Sequence, residues 1–292
     1  MSLYTHLIDR ESWTAVTTGD AAARATSALE RGDVLFFSSL RFAVHADEAA
    51  LFTPAILGSA KNASFDPSSG SVGGTTASGA DRRALQSMMQ RFSDAAAALV
   101  ADICPAYRSQ IDRRRASFRP AEIAGRTTTW RKDDTRLHVD SFPATPSGGK
   151  RILRVFTNVN PDGRPRAWRV GGAFEAVARR FGDRLRLPWA GSGHLLALLR
   201  VTKSPRTPYD ALMLQLHDLM KGDEEFQREA PQQAFEFPAG STWMAFTDEV
   251  GHAAMAGQYQ LEQTFLLPVE AMSTPDRSPL RILERLKGRR LV

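Results

Sequence analysis

The stretch Phe237-Pro-Ala-Gly-Ser-Thr-Trp-Met-Ala-Phe-Thr-Asp-Glu-Val-Gly-His252 decides the fold of this 292-residue chain. It consists of a Pro-x-Gly turn, a short apolar run that ends in an aromatic residue, and a Gly-His pair. The apolar run predicts a buried strand bounded by turns. A strand in this setting, followed closely by Gly-His, is the usual position of a metal-binding histidine in an antiparallel jelly roll.

Other stretches add strands and helices around this segment. The runs with the alternation or the branched and aromatic content of strands are residues 34–44, 126–131, 151–159, 234–237 and 260–267. Apolar residues at three- and four-residue spacing predict helices over 81–103, 174–181 and 209–220. Several short strands parted by Gly and Pro turns predict a sandwich or barrel of antiparallel strands.

We therefore expect a mostly β fold with flanking helices, namely a double-stranded β-helix (jelly roll). Residues 1–120 are predicted to form a mixed helical and strand extension that packs on the core. Residues 121–270 are predicted to form the jelly-roll core, with a helical insert at about 172–230. Residues 271–292 are predicted to form a basic amphipathic tail.

The chemical signal is the pair His138-Val-Asp140. Side chains at positions i and i+2 of an extended chain leave on the same side, so both can bind one metal. A distant histidine, His252, completes the set of two histidines and one carboxylate used by non-haem Fe(II) oxygenases. That set leaves three coordination positions open.

The other histidines favour ordinary structural roles. A second His-x-Asp pair, His45-Ala-Asp47, runs directly into Glu48, and there Asp47 is interpreted as a helix N-cap. His194 and His217 lie in leucine-rich helical stretches, and we interpret them as core or surface residues. The sequence therefore predicts one metal site, made of His138, Asp140 and His252.

These residues resemble a known family. The segments that carry the resemblance are His138-Val-Asp-Ser-Phe-Pro143, Arg151-Ile-Leu-Arg-Val-Phe-Thr-Asn-Val-Asn160, Gly251-His-Ala-Ala254 and Glu262-Gln-Thr-Phe265. They look like the Fe(II)/2-oxoglutarate-dependent oxygenases, and more narrowly the bacterial hydroxylases of 3-deoxy-D-manno-oct-2-ulosonic acid (Kdo). The resemblance implies Fe(II), 2-oxoglutarate and O2 as cofactors. It further implies hydroxylation at C3 of the terminal Kdo of Kdo-bearing lipid A, in lipopolysaccharide biosynthesis.

The resemblance also requires a cation for the far carboxylate of 2-oxoglutarate. Many family members place an Arg or Lys on the strand after the distal histidine, but residues 257–267 contain neither. We therefore expect Arg154, in the strand that follows His138-Val-Asp140, to bind this carboxylate, because a buried anion needs a paired cation. Gln263 is predicted to add a hydrogen bond. The alternatives to Arg154 are Arg126, Arg131 and Arg136.

The charge of the chain is concentrated at one end. The formal net charge is +6, and residues 277–292 carry six of the bases and one acid. Leucines alternate with these bases, which favours either a helix on an anionic inner-membrane leaflet or a solvated helix packed on the body. The remaining body is near neutral, so we expect no nucleic-acid partner. One cysteine, Cys104, excludes an internal disulfide and a multi-cysteine metal site.

Three readings compete with Kdo hydroxylation. The first is the same chemistry on another small or lipid substrate, and the second is a jelly-roll binding module without catalysis. The third, nucleic-acid binding through the tail, is disfavoured by the neutral body. The start of the chain lacks a basic region followed by an apolar core, so we expect a cytoplasmic protein, peripheral to the inner membrane at most.

Overall fold

The computed structural model describes residues 4–292, and residues 1–3 lie outside the described part. Its strands are β1 (Thr5–Leu7), β2 (Val34–Phe37), β3 (Ala63–Asp66), β4 (Ser71–Gly73), β5 (Asp112–Arg119), β6 (Arg151–Asn158), β7 (Arg166–Gly171), β8 (Gln232–Phe237), β9 (Thr242–Phe246), β10 (His252–Ala256) and β11 (Gln260–Leu267). Its α-helices are α1 (Gly19–Glu30), α2 (Gly79–Ile103), α3 (Phe174–Phe181), α4 (Ser192–Leu198), α5 (Pro208–Gly222), α6 (Glu224–Glu229) and α7 (Pro279–Lys287).

Two sheets form the centre of the molecule. The large sheet has the order β1-β2-β9-β6-β11-β5-β3-β4, and the small sheet has the order β10-β7-β8. All the pairings are antiparallel except that of β1 with β2. Phe156 and Trp243 of the large sheet pack against Trp168 and Phe237 of the small one. This is the expected mostly β jelly roll with flanking helices.

The central strands of the large sheet are buried on both faces. Every residue of β9 and β11 is buried, as are all residues of β6 except Arg154, which is half-buried. On the face away from the small sheet, Leu153 and Leu261 join a core with Met88 and Phe92 of α2. The functional side chains therefore have to lie on the opposite face, between the two sheets.

The first 120 residues complete the large sheet instead of only packing on it. β2 pairs with β9, and β5 pairs with β11, so this segment supplies strands on both sides of the central three. The Gly/Ser-rich stretch at 66–80 contains β4, which forms a hairpin with β3.

Several predicted elements differ from the structure. The strand predicted at 126–131 is wrong: its threonines are exposed, with no apolar face to bury, and a short 3-10 turn follows at Trp130–Lys132. β5 was not predicted, because only Ala116 and Phe118 mark its buried face among arginines. His45, not Asp47, caps the 3-10 turn Ala46–Leu51.

The C-terminal tail forms the predicted amphipathic helix, but its apolar face points inward. Leu280, Ile282, Leu283 and Leu291 are buried in the main core. Lys287 donates to the main-chain oxygens of Gly182 and Leu185 beyond α3. Four of the apolar tail residues on which the membrane prediction relied are therefore buried in the core, whereas Leu286 and Val292 stay partly exposed. Within residues 4–292, no helix is long and apolar enough to cross a membrane.

Candidate metal centre

His138, Asp140 and His252 meet at the start of β10, an edge strand of the small sheet. The main chains of His138 and His252 form an isolated antiparallel bridge, with N–H···O distances of 3.0 and 2.9 Å. The Asp140 amide donates to the main-chain oxygen of Thr247 at 2.7 Å. One potential ligand atom from each of the three side chains lies within 4.8 Å of the other two. Main-chain bonds thus bring together the three residues predicted from the sequence.

Both imidazoles are oriented by their second nitrogen. Nδ1 of His138 lies 2.7 Å from the main-chain oxygen of Arg136, and Nδ1 of His252 lies 2.9 Å from that of Val250. A carbonyl can only accept, so each Nδ1 carries the proton and each Nε2 keeps its lone pair. Each Nε2 faces a different oxygen of Asp140, at 3.9 Å.

This donor set fits a divalent metal. Metal–ligand bonds are about 2.0–2.2 Å, so donor atoms 3.9 Å apart can both reach an ion between them after a small adjustment. Oδ2 of Asp140 is buried and forms no hydrogen bond; the Arg154 guanidinium lies 3.2 Å from it, and a metal ion would take the remaining lone pair. Two imidazoles and one carboxylate suit iron and similar divalent ions.

The protonation states also favour metal binding. Burial, helped by the neighbouring imidazole of His252, holds the pKa of His138 well below its usual value. Burial likewise lowers the pKa of His252. Burial alone would raise the pKa of Asp140, but the Arg154 guanidinium and the two histidines outweigh it and lower that pKa. Without a metal, the site therefore holds neutral imidazoles and an ionised carboxylate.

A cavity lined by arginines opens beside these three residues. Arg154 from β6 lies 3.2 Å from Asp140 and 2.8 Å from Glu262. Arg119 from β5 donates to the other oxygen of Glu262 at 3.0 Å. Arg166 from β7 donates to the main-chain oxygen of Gly257 at 2.7 Å. The cavity is lined by Arg119, Ile123, Asp134, His138, Asp140, Arg154, Phe156, Arg166, Trp168, His252, Ala254, Gln260 and Glu262.

Several buried donors in this cavity lack a partner. Nε of Arg154, Nε of Arg166 and Nε1 of Trp168 form no hydrogen bond with the protein. Among residues 4–292, Arg166 has no carboxylate at ion-pair distance, and burial together with the Arg119 charge lowers its pKa to about 9. Such unsatisfied donors are expensive, and an anion with several oxygen atoms would satisfy them.

The structure distinguishes between the four arginines that were considered as ligands of the 2-oxoglutarate carboxylate. Arg154 lies in the cavity, as expected from its position in β6. The three alternatives are engaged elsewhere: Arg126 donates to the main-chain oxygens of Ala121 and Glu122, Arg131 pairs with Asp218, and Arg136 pairs with Glu224.

The prediction for Gln263 is wrong. Its side chain accepts from Ser93 of α2 at 2.6 Å and donates to the main-chain oxygen of Arg114. Alternation in β11 turns Gln263 toward α2, while Gln260 and Glu262 face the cavity. The polar residues of this strand thus serve two different faces.

Among the lining residues that sequence reasoning missed are Arg119, Arg166 and Trp168, and it misjudged His217, which lies beside the site. Arg166 and Trp168 alternate along β7, and this period of two was the signal that could have identified them. Arg119 ends β5, a strand that was not predicted. His217 of α5 was interpreted as ordinary, yet its ring lies edge-on to His138 with centroids 5.3 Å apart.

Comparisons with known proteins agree with this geometry. Residues 12–290 match the family model for 3-deoxy-D-manno-oct-2-ulosonic acid (Kdo) hydroxylase. The chain belongs to the Kdo hydroxylase family. No curated protein is significantly similar to this family member.

Solved structures of a Kdo hydroxylase share the fold of this chain. A crystal structure of the Kdo hydroxylase KdoO, a non-heme Fe(II) alphaketoglutarate dependent dioxygenase, in complex with alphaketoglutarate and Fe(III), is 45% identical with a TM-score of 0.96. The match covers 99% of this chain and 97% of that one. KdoO in complex with succinate and Fe(III) is 44% identical with a TM-score of 0.95, over the same shares of the two chains.

Proposed function

We propose that this chain is an Fe(II)/2-oxoglutarate/O2-dependent dioxygenase that hydroxylates C3 of the terminal Kdo of Kdo-bearing lipid A. The observation that carries the proposal is the cavity in which the histidine–carboxylate set lies beside three unsatisfied buried donors. The two histidines and the carboxylate fit iron, and the three unsatisfied donors fit an anion. The 45% identity to KdoO, whose structure includes Fe(III) and alphaketoglutarate, supports this pairing.

In this proposal His138, Asp140 and His252 hold the iron. The metal, when bound, supplies the activation of O2 and the oxidation of a substrate C–H bond, with 2-oxoglutarate converted to succinate and CO2. The Nδ1 hydrogen bonds of both histidines fix their rings so that Nε2 is always presented. Arg154 holds Asp140 in its ionised form, which a metal ligand needs.

The arginine cluster would receive 2-oxoglutarate. Arg154 lies next to Asp140, whereas Arg166 and Trp168 offer donors that no protein group satisfies. Glu262 keeps Arg119 and Arg154 in place by accepting from both. A dicarboxylate would therefore exchange water for several charge-assisted hydrogen bonds within a largely buried pocket.

The substrate and the cellular location are the finer parts of the proposal. Family membership supports a Kdo-bearing substrate. Lipid A is an acylated, phosphorylated sugar lipid held in a bilayer by its acyl chains, so we propose that the enzyme works at a membrane surface, the cytoplasmic face of the inner membrane. The assembled site disfavours a binding module without catalysis, since its ligands and donors are all in place.

Anaerobic purification followed by reconstitution tests this function. With Fe(II), 2-oxoglutarate, O2 and a Kdo-bearing lipid A, we expect succinate release coupled to the gain of one oxygen atom by the lipid. Uncoupled succinate release without lipid oxidation would show that another substrate is the natural one. No succinate release under any of these conditions would contradict the dioxygenase itself. A His252→Ala variant provides the inactive control.

A further inference from the structure

The helical insert carries an exposed apolar surface that the site does not use. Trp189 is 65% exposed, Leu198 79%, Leu199 62% and Val201 55%. Singly exposed leucines are ordinary, but a cluster of this size within one short segment marks an interaction surface. We call it the insert surface; its apolar members are Leu187, Trp189, Leu195, Leu198, Leu199 and Val201.

The insert surface lies in a segment whose charges are all positive, although Asp183 and Asp210 flank it directly. Residues 184–209 contain five Arg and Lys residues and no Asp or Glu. Only Arg184 is neutralised, by Asp223 at 3.1 Å. Within residues 4–292, no carboxylate lies at ion-pair distance from the remaining four bases, which are Arg186, Arg200, Lys203 and Arg206. The apolar cluster is therefore bordered by free positive charge.

The insert surface is built by defined main-chain geometry. Arg200, two residues after the end of α4, has φ of 56°, a left-handed conformation that is uncommon outside glycine. The amides of Val201 and Thr202 then both donate back to the main-chain oxygen of Leu196. Thr202 is buried, while Leu198, Leu199 and Val201 are left at the tip. The left-handed residue and the two return hydrogen bonds thus define the turn after α4 from which these apolar side chains project.

The same segment is attached to the loop that follows the metal ligand Asp140. The Lys203 amide donates to the main-chain oxygen of Ala144 at 2.9 Å. The Arg206 guanidinium donates to that of Pro143 at 2.6 Å. A molecule bound at the insert surface would thus lie against the segment that borders the active site.

We propose that the insert surface, and not the C-terminal tail, binds an anionic phospholipid bilayer. Tryptophan and leucine side chains enter the interfacial zone of a bilayer, and neighbouring Arg and Lys side chains attract its phosphates. A protein partner would leave free cations unmatched unless it were acidic, whereas an anionic leaflet matches both the leucines and the charge. This proposal does not depend on the proposed reaction, because a bilayer without any Kdo is sufficient to test it.

Vesicle co-sedimentation of the full chain provides the test. We expect the wild-type protein to bind phosphatidylcholine vesicles that contain phosphatidylglycerol, to bind pure phosphatidylcholine vesicles far less, and to lose binding as salt rises. The double variant Leu198→Ser/Leu199→Ser should reduce binding at least tenfold. Arg200→Gln/Lys203→Gln should reduce it severalfold and remove most of the salt dependence.

The tail provides the matched control. Leu286→Ser/Val292→Ser changes the two apolar residues of the tail that are partly exposed, at 38% and 49%, and should leave binding unchanged. Circular dichroism confirms that each variant is folded. Equal binding by the insert variants and the wild-type protein, or loss of binding only in the tail variant, would overturn the proposal. So would equal binding of the wild-type protein to neutral and anionic vesicles.

Discussion

Two arginines of β6, Arg151 and Arg154, lie three residues apart and face opposite sides of the same sheet. Arg151 is fully buried, donates to Asp248 at 2.8 Å and to Glu249 at 2.5 Å, and lies 3.9 Å above the Phe246 ring. Arg154 faces the cavity, pairs with Asp140 and Glu262, and still has an unpartnered Nε.

The difference teaches how to separate structural from functional charge. A structural ion pair is complete within the protein, because leaving any part of it unpaired would cost stability. A ligand site contains donors and acceptors without a partner in the protein, and the ligand forms hydrogen bonds with them when it binds. Among residues 4–292, five of the eleven buried side-chain atoms that lack a hydrogen-bond partner line the cavity between the sheets: Asp140 Oδ2, Arg154 Nε, Arg166 Nε, Trp168 Nε1 and Gln260 Oε1.

The comparison between the two carboxylates, Asp140 and Asp248, gives the largest expected effect. Asp140→Ala should lower turnover by roughly a thousandfold or more, since it removes a metal ligand, and should leave the fold intact. Asp248→Ala should leave the Michaelis constant for 2-oxoglutarate unchanged and lower the free energy of unfolding by about 3 kcal/mol. Coupled succinate assays and urea denaturation measure the two effects. Turnover by Asp140→Ala above a tenth of the wild-type rate would break the comparison.

The two arginines themselves give the next effect. Arg154→Met should raise the Michaelis constant for 2-oxoglutarate by roughly ten- to a hundredfold, because it removes a charge-assisted contact worth about 1.5–3 kcal/mol. Arg151→Met should leave that constant unchanged and destabilise the fold by about 3–5 kcal/mol, since it strands two buried carboxylates. Titration of 2-oxoglutarate at saturating Fe(II) and urea denaturation distinguish them. If both variants lost only stability, Arg154 would be structural as well.

The smallest expected effect is a pH dependence of stability from the structural pair. Burial raises the pKa of Glu249 from its usual 4.5 to about 7, despite the neighbouring Arg151. This carboxyl therefore binds its proton more tightly in the folded state, so its contribution to stability is full below pH 4.5 and is lost as pH rises through 7.

We accordingly expect wild-type stability to fall relative to Glu249→Gln between pH 5 and 8. The histidines are common to both proteins, so their contribution to the pH dependence cancels in the difference between the two free energies of unfolding. Glu229→Gln, at an exposed position, is the control and should show no such trend. A flat difference across this range would mean that Glu249 is ionised throughout.

Sequence patterns found the strands whose side chains alternate or are uniformly apolar. The runs at 151–159, 242–246 and 260–267 correspond closely to β6, β9 and β11, and the helices at 81–103 and 174–181 correspond to α2 and α3. The metal residues were identifiable because His-x-Asp and Gly-His stand in a recognisable order along the chain. These features are local, so a single sequence is enough to show them.

The remaining features depend on contacts between distant segments. Gln263 was predicted to face the cavity because its strand was predicted correctly. The face to which a strand residue points depends on its position in the alternation, and a shift of one residue moves the side chain to the other face of the sheet. Arg119 and Arg166 reach the cavity only through the pairing of β5 with β11 and the packing of the small sheet on the large one. The burial of the tail leucines likewise depends on the residues of the main core against which α7 packs, and these are distant in the sequence.

The backbone bridge between His138 and His252 has a consequence for metal supply. Two reciprocal main-chain bonds hold these residues, so their spacing is set before any ion arrives and survives its loss. Oxidised or lost iron could then be replaced without refolding. A rigid cradle of two nitrogens and one carboxylate binds copper and zinc at least as tightly as iron. The metal ion that the enzyme binds is therefore determined by the concentrations of free metal ions in the cell.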